Sequence, residues 1–318
     1  MAEAALEADH EVTLLHRGRE PEPSDGPLAE AEHVHADRDG DLSILAGRSF
    51  DATVDVCAYV PRQVDTLAAA LDGRGGHHVF VSTMSVYADP DDAGLDESGT
   101  LVTLDDPDTE EVTGETYGGL KVRCEQQVKA AYADTGLAIV RPTYVVGPHD
   151  PTGRFTWWVR RIARGGRVLA PGPYDAPIQV IDSRDQGAWT VSLCEKQTSG
   201  VFNSVSPTPP FGMGDLLDTA VRAVGPDDTE LVWADPAWLI EQGETYQSLP
   251  LWTGGEREWS LAAAPTAAVA SGLSFRPLTE TIADTWAWIK DDQPALVAGW
   301  GISDEREAEL LAAWDVRA

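Results

Sequence analysis

Tyr117 and Lys121 stand four residues apart in Glu115-Thr116-Tyr117-Gly118-Gly119-Leu120-Lys121. On a helix that spacing puts both side chains on one face. A free tyrosine titrates near ~10, and a neighbouring ammonium favours the phenolate and lowers that value. Such a pair can give and take a proton near neutral pH. Taken alone it is equally a core tyrosine with a lysine stem lying beside it. A second polar cluster, Val81-Ser82-Thr83-Met84-Ser85-Val86-Tyr87, precedes it. Ser82, Thr83 and Ser85 could donate hydrogen bonds to a substrate oxygen, though a polar strand end alone would look the same.

The surrounding elements must bring these groups together. Apolar runs at 11–15, 33–36, 52–57, 78–82 and 137–141 read as strands, with a helix opened by Pro61 and another running from Tyr117 to about Ala133. An acidic loop spans Asp89 to Glu111, and Glu20 to Gly26 reads as a second loop. Strands alternating with helices indicate a parallel sheet covered on both faces, hence a doubly wound α/β fold of the Rossmann type. Beyond Gly147 the pattern loosens into a smaller α+β unit. Helices are expected at 155–164, 184–195, 214–224, 262–270, 279–290 and 304–314, with strands at 177–181, 200–205 and 230–233. The division is residues 1–147, which also receive 177–205, and a substrate-binding part over 148–318.

Composition limits the function classes. The 318 residues carry a formal charge of −30, which repels phosphate backbones and anionic membranes. Neither nucleic acid nor a membrane is therefore an expected partner. Only four lysines accompany the arginines, a balance suited to a high-salt cytoplasm or to a GC-rich genome. Cys57, Cys124 and Cys194 are scattered and odd in number, which fits free thiols in a reducing cytosol rather than disulfides or zinc. The histidines show no sequence spacing of a metal site, so no metal is expected. No apolar run reaches membrane-spanning length, no secretory leader is visible, and the expected location is cytoplasmic.

Strand-end hydroxyls, the YxxxK helix, and a strand leading through Arg141-Pro142 to Val145-Val146-Gly147-Pro148 together resemble the extended short-chain dehydrogenases/reductases. Within them the chain is most similar to the NAD-dependent epimerase/dehydratase group, with Phe202-Asn203, Trp286 and Trp288 in keeping. The resemblance implies that Tyr117 is the acid/base and that Lys121 holds the nicotinamide ribose and lowers the tyrosine pKa. Thr83 would orient the reacting oxygen. It further implies cofactor contacts at Arg17, Asp37, Cys57, Ala58, Tyr59, Ser82 and Pro142. Ser85, Arg154 and Arg161 would face the substrate, a small molecule such as a sugar nucleotide.

Arg17 follows the second expected strand position, where an arginine suits a 2′-phosphate, so NADP is favoured over NAD. Met84 and Ser85 replace the acidic pair of the dehydratases, so 4,6-dehydration is not expected. Arginines 154, 160, 161, 164 and 167 crowd one stretch, suiting a diphosphate or equally a solvated helix face paired with acids.

The family also opens on a strand and a glycine-rich turn that cradles the pyrophosphate. Neither is found here, and Met1 to Ala8 matches the second half of the following helix. The expectation is that upstream in-frame sequence supplies them, and that without them the chain is less stable and binds cofactor weakly. A rival reading is a non-catalytic relative that binds nucleotide as a sensor or associates with RNA. A homodimer through the Tyr117 helix is implied by resemblance, with Gly118, Gly119 and Cys124 allowing close packing.

Overall fold

The sheet that positions the candidate chemistry is parallel and four-stranded, in a computed structural model describing residues 1–19, 22–89, 93–206, 211–254, 259–291 and 297–317. The residues at 20–21 and 90–92, within the two expected loops, lie outside the described residues. In chain order the first elements are α1 (Ala2–Glu7), β1 (Thr13–His16), β2 (Glu32–His35), β3 (Ala52–Asp55), α2 (Pro61–Leu71) and β4 (His77–Val81). Next come α3 (Tyr117–Ala131), β5 (Leu137–Pro142), β6 (Tyr144–Val146), α4 (Arg154–Ala163), β7 (Arg167–Pro171), β8 (Pro177–Ile178) and β9 (Val180–Asp182). They are followed by α5 (Ser183–Glu195), β10 (Gly200–Ser204), β11 (Phe211–Gly212), α6 (Met213–Val224), β12 (Glu230–Ala234) and α7 (Pro236–Glu241). The last helices are α8 (Thr266–Ala270), α9 (Leu278–Ile289) and α10 (Asp304–Asp315).

The main sheet runs β10-β5-β4-β3, each neighbour parallel. Side chains on a strand alternate between faces. Val79, Ala138, Val140 and Phe202 therefore meet Trp189 and Leu193 of α5 on one face. Phe80 and Ile139 meet Val64 of α2 and Cys124 and Val128 of α3 on the other. Both faces being covered explains why β4 and β5 read as continuous apolar runs. The expected doubly wound α/β architecture is present.

β1 and β2 pair only with each other, as a separate parallel ladder from Thr13↔Glu32 to His16↔His35. Among the described residues no ladder joins them to β3. Every residue of β1 is half-buried, and Val54 of β3 and Val56 just after it are exposed. α1 lies against α5, where a Cβ on Gly187 would come within 2.8 Å of the Met1 nitrogen.

The largest apolar cluster gathers α4, α6, α7, α9 and α10 with β7 and β12 around Trp158, Leu217, Leu239, Trp252 and Ile282. β7 and β12 form a parallel ladder of their own. β6 pairs with β9, and β8 antiparallel with β11. Where one strand was expected over 177–181, there are two, β8 and β9, with different partners. Between them Gln179 is fully buried and donates to the carbonyls of Ser206 and Ala263. The helix expected over 262–270 is shorter: a 3-10 turn ends at Ala262, and α8 begins at Thr266 after Pro265. Ser43–Leu45 forms a single 3-10 turn whose Leu45 is buried.

Candidate functional site

The carboxyl end of β4 turns sharply at Thr83. Its hydroxyl caps a 3-10 turn by accepting from Ser85 N–H at 3.1 Å, and it donates to Ser85 Oγ at 3.2 Å. α3 starts close by because Gly118 lacks a side chain: a Cβ there would lie 2.1 Å from the Ser85 carbonyl oxygen. The glycine thus lets the first turn of α3 rest on the strand end, which sets Tyr117 and Thr83 on one cavity. Gly119 is similarly filled by Leu104, and Cys124 is fully buried, so the room at these positions is used within the chain.

Lys121 is 2% exposed, and its ammonium donates to the carbonyls of Ala58 at 2.9 Å and Val81 at 2.8 Å. It also lies 4.3 Å from the Phe80 ring centre. An ammonium has three N–H donors, so one remains beyond these two bonds. Burial pulls Lys121 down to about 8. Tyr117 moves the other way. Burial raises its pKa above the ordinary tyrosine value, against the neighbouring Thr83 hydroxyl, which lowers it. The expectation that Lys121 holds the phenol low is therefore not met. The ammonium is engaged by the ends of β3 and β4, and desolvation of the phenol dominates.

Tyr117, Lys121, Thr83, Ser82, Ser85, Tyr59, Pro142 and Arg154 all line one cavity of about 1170 Å³. Arg17, Asp37, Cys57, Ala58 and Arg161 do not, though the Ala58 carbonyl accepts from Lys121. Arg17 is exposed after β1. Asp37 caps a local turn by accepting from Asp39 N–H at 3.0 Å. Cys57 is exposed beside Arg38, whose guanidinium grips the buried Asp55 at 2.6 and 2.9 Å. Arg161 is buried on Glu307 of α10 at 2.5 Å and on the carbonyls of Gly165 and Arg167, a helix tie rather than a substrate contact.

Ser82 borders the cavity, but its hydroxyl donates to Glu125 Oε1 at 2.7 Å. Glu125 sits one turn beyond Lys121 and holds Arg141 of β5 by two bonds, at 2.9 and 2.6 Å. Arg141 also donates to the Tyr87 hydroxyl, which donates to Asn203 Oδ1 of β10. This buried network fastens α3 to three strand ends. Sequence reading missed it because a mid-helix glutamate followed four residues later by Lys129 looks like a surface pair.

Around Arg154, which the sequence pointed to, stand groups it did not single out. Arg154 stacks 4.9 Å from Tyr144 and 5.9 Å from Trp300, and donates to the Tyr246 hydroxyl at 3.2 Å. Asp150 is 6% exposed, burial raises its pKa, and its Oδ2 has no partner among the described residues. Tyr144 and Asp150 come just after β5, where open parallel sheets place ligands, so their position was the available signal.

A family model, the NAD dependent epimerase/dehydratase family, matches residues 1–203. The chain belongs to that family. No curated protein matches the chain significantly. Solved structures share its fold at low identity. A protein of Burkholderia cenocepacia J2315 superposes with a TM-score of 0.69 at 19% identity, over 90% of this chain and 93% of that one. The Bordetella bronchiseptica enzyme WbmH, solved with NAD+, gives 0.66 at 17%, over 92% and 94%. The UDP-glucuronic acid 4-epimerase of Bacillus cereus, solved with NAD, gives 0.62 at 15%, over 91% and 94%.

The residues present fit a nicotinamide at one end of the cavity, where Lys121 has a spare donor and Thr83 and Tyr117 adjoin. The part of the lining contributed by α1 differs in character: it presents Glu3 and Glu7, carboxylates that would repel a pyrophosphate. Among the described residues no helix is long and apolar enough to cross a membrane.

Proposed function

We propose that the chain is an NAD(P)-dependent oxidoreductase or epimerase acting on a hydroxyl or carbonyl carbon of a sugar-nucleotide-like substrate. The observation that carries this is the convergence of Tyr117, Thr83 and Lys121 on one cavity at the end of β4. A bound nicotinamide would supply or take the hydride. Thr83, which lines the cavity with Tyr117, positions the substrate oxygen beside the phenol. Tyr117 Oη gives a proton to that oxygen in reduction and takes it in oxidation. Lys121 would hold the cofactor ribose with its third N–H, its other two being fixed on the Ala58 and Val81 carbonyls. Arg154, framed by Tyr144, Tyr246 and Trp300, suits a diphosphate with a stacked base or sugar. Between cofactors, NADP rests only on the sequence position of Arg17, which is exposed outside the cavity.

Titration of the protein with NAD, NADP and their reduced forms, followed by turnover assays on sugar nucleotides, tests the reading. Cofactor binding with hydride exchange supports it. Absence of binding by any nicotinamide form defeats it.

The second reading, a nucleotide-binding relative without turnover, is favoured by the Glu3 and Glu7 lining and by the separation of β1–β2 from the main sheet. Binding of nucleotide with no exchange of hydride in any substrate mixture would select it.

A further inference from the structure

β1 and β2 carry three imidazoles on one face, and none belongs to the cavity just described. His16 is the last residue of β1 and lies in register with His35 of β2. His33 is two residues before His35 and so shares its face. The ring centres of His33 and His35 lie 5.1 and 4.7 Å from that of His16. Glu22 joins them from the following segment, its Oε1 2.9 Å from His35 Nε2. Ligand atoms of His16, Glu22 and His33 all lie within 4.8 Å of one another.

From this arrangement we infer a binding site for a divalent transition-metal ion of the zinc type, held by His16, His33 and Glu22, with His35 hydrogen-bonded to Glu22. Two imidazoles and a carboxylate are a donor set zinc takes, with bonds of about 2.0–2.1 Å to the imidazole nitrogens. Tetrahedral bonds of that length place neighbouring donor atoms about 3.3 Å apart. His16 Nε2 and His33 Nδ1 are already 2.9 Å apart. His33 is oriented for the task, because its Nε2–H donates to the Leu28 carbonyl at 3.0 Å and leaves Nδ1 as a lone pair. A ligating histidine whose other nitrogen donates to a carbonyl is the usual outer arrangement of metal sites.

Ligation through Nε2 moves the His16 proton to Nδ1. The bond that Gly18 N–H makes to Nδ1 at 3.1 Å is then given up. The gain is structural. A lone two-stranded ladder is marginal in water, and one ion would tie β1, β2 and the segment bearing Glu22 together.

The experiment is a zinc titration of chelator-stripped protein by calorimetry, run in excess magnesium to occupy the general acidic surface. Cobalt(II) absorption reads the ligand geometry, and hydrogen exchange reads residues 13–16 and 32–35. The expected result is one tight equivalent, a tetrahedral cobalt spectrum and slowed exchange in both strands. Affinity should fall about tenfold or more in Glu22→Gln and in His33→Ala. Glu22 is on the surface, so its variant keeps the test valid if His33→Ala misfolds. Equal zinc binding by wild type and Glu22→Gln, or an octahedral cobalt spectrum, would overturn the site.

Discussion

His78 shows how a single buried group ties the fold to pH. It is 1% exposed on β4, stacked 3.8 Å from Tyr132, with both ring nitrogens unpartnered among the described residues. Burial lowers its pKa to about 4, against the attraction of Asp55. The folded state keeps the ring neutral while an unfolded chain takes up a proton below the ordinary value near ~6.5. The unfolded state thus binds more protons in that window. Stability is full above the ordinary value and falls as pH drops towards about 4, by up to about 1.4 kcal/mol per pH unit. His78→Phe keeps the stack and should flatten this part of a urea-melt series from neutral to acid pH. Lys121 gives a second handle. If its ammonium serves the cofactor, cofactor affinity should decline as pH rises through about 8. An unchanged affinity across that range would detach Lys121 from binding.

Among the elements, α3 carries most of the consequence, and its glycines are the sensitive points. Gly118→Ala would drive a Cβ into the Ser85 carbonyl, 2.1 Å away, and lift Tyr117 from Thr83. The expected cost is about 1–3 kcal/mol in a denaturant melt, with turnover lost more than stability. At this scale the sequence was informative where burial is two-sided. β4 and β5 were legible because strands covered on both faces are apolar throughout. α7 was missed although Asp235 and Pro236 gave it a cap and a first helical residue. β7 was missed because Arg167 belonged to a run of arginines, and its partner β12 is distant in sequence. Arg161 was misread for the same reason. Its partner Glu307 lies 146 residues away, and no local pattern separates a buried tie from an exposed substrate contact. Tyr117, Thr83 and Lys121 were legible because a helix period and a strand end place them without long-range information. The acidic wall of the cavity was not, because it depends on how α1 packs against α5.

The whole molecule is governed by its charge of −30. Many arginines are already paired with acids, including Arg38 with Asp55 and Arg141 with Glu125. The excess carboxylates repel one another at distances that salt screens, since the Debye length falls from about 10 Å at 0.1 M to about 3 Å at 1 M. The melting temperature should rise with KCl between those concentrations, as read by circular dichroism. A melting temperature independent of salt would show that the surface charges are locally balanced.

The central claim is that Tyr117 moves the proton while the rest of the cavity binds. The most direct measurement compares Tyr117→Phe with the wild type for cofactor affinity, folding and hydride transfer on a turned-over sugar nucleotide. The account predicts a folded variant that binds cofactor within a few-fold of wild type but loses about 10²-fold or more in kcat. A folded Tyr117→Phe that turns over at the wild-type rate would contradict it.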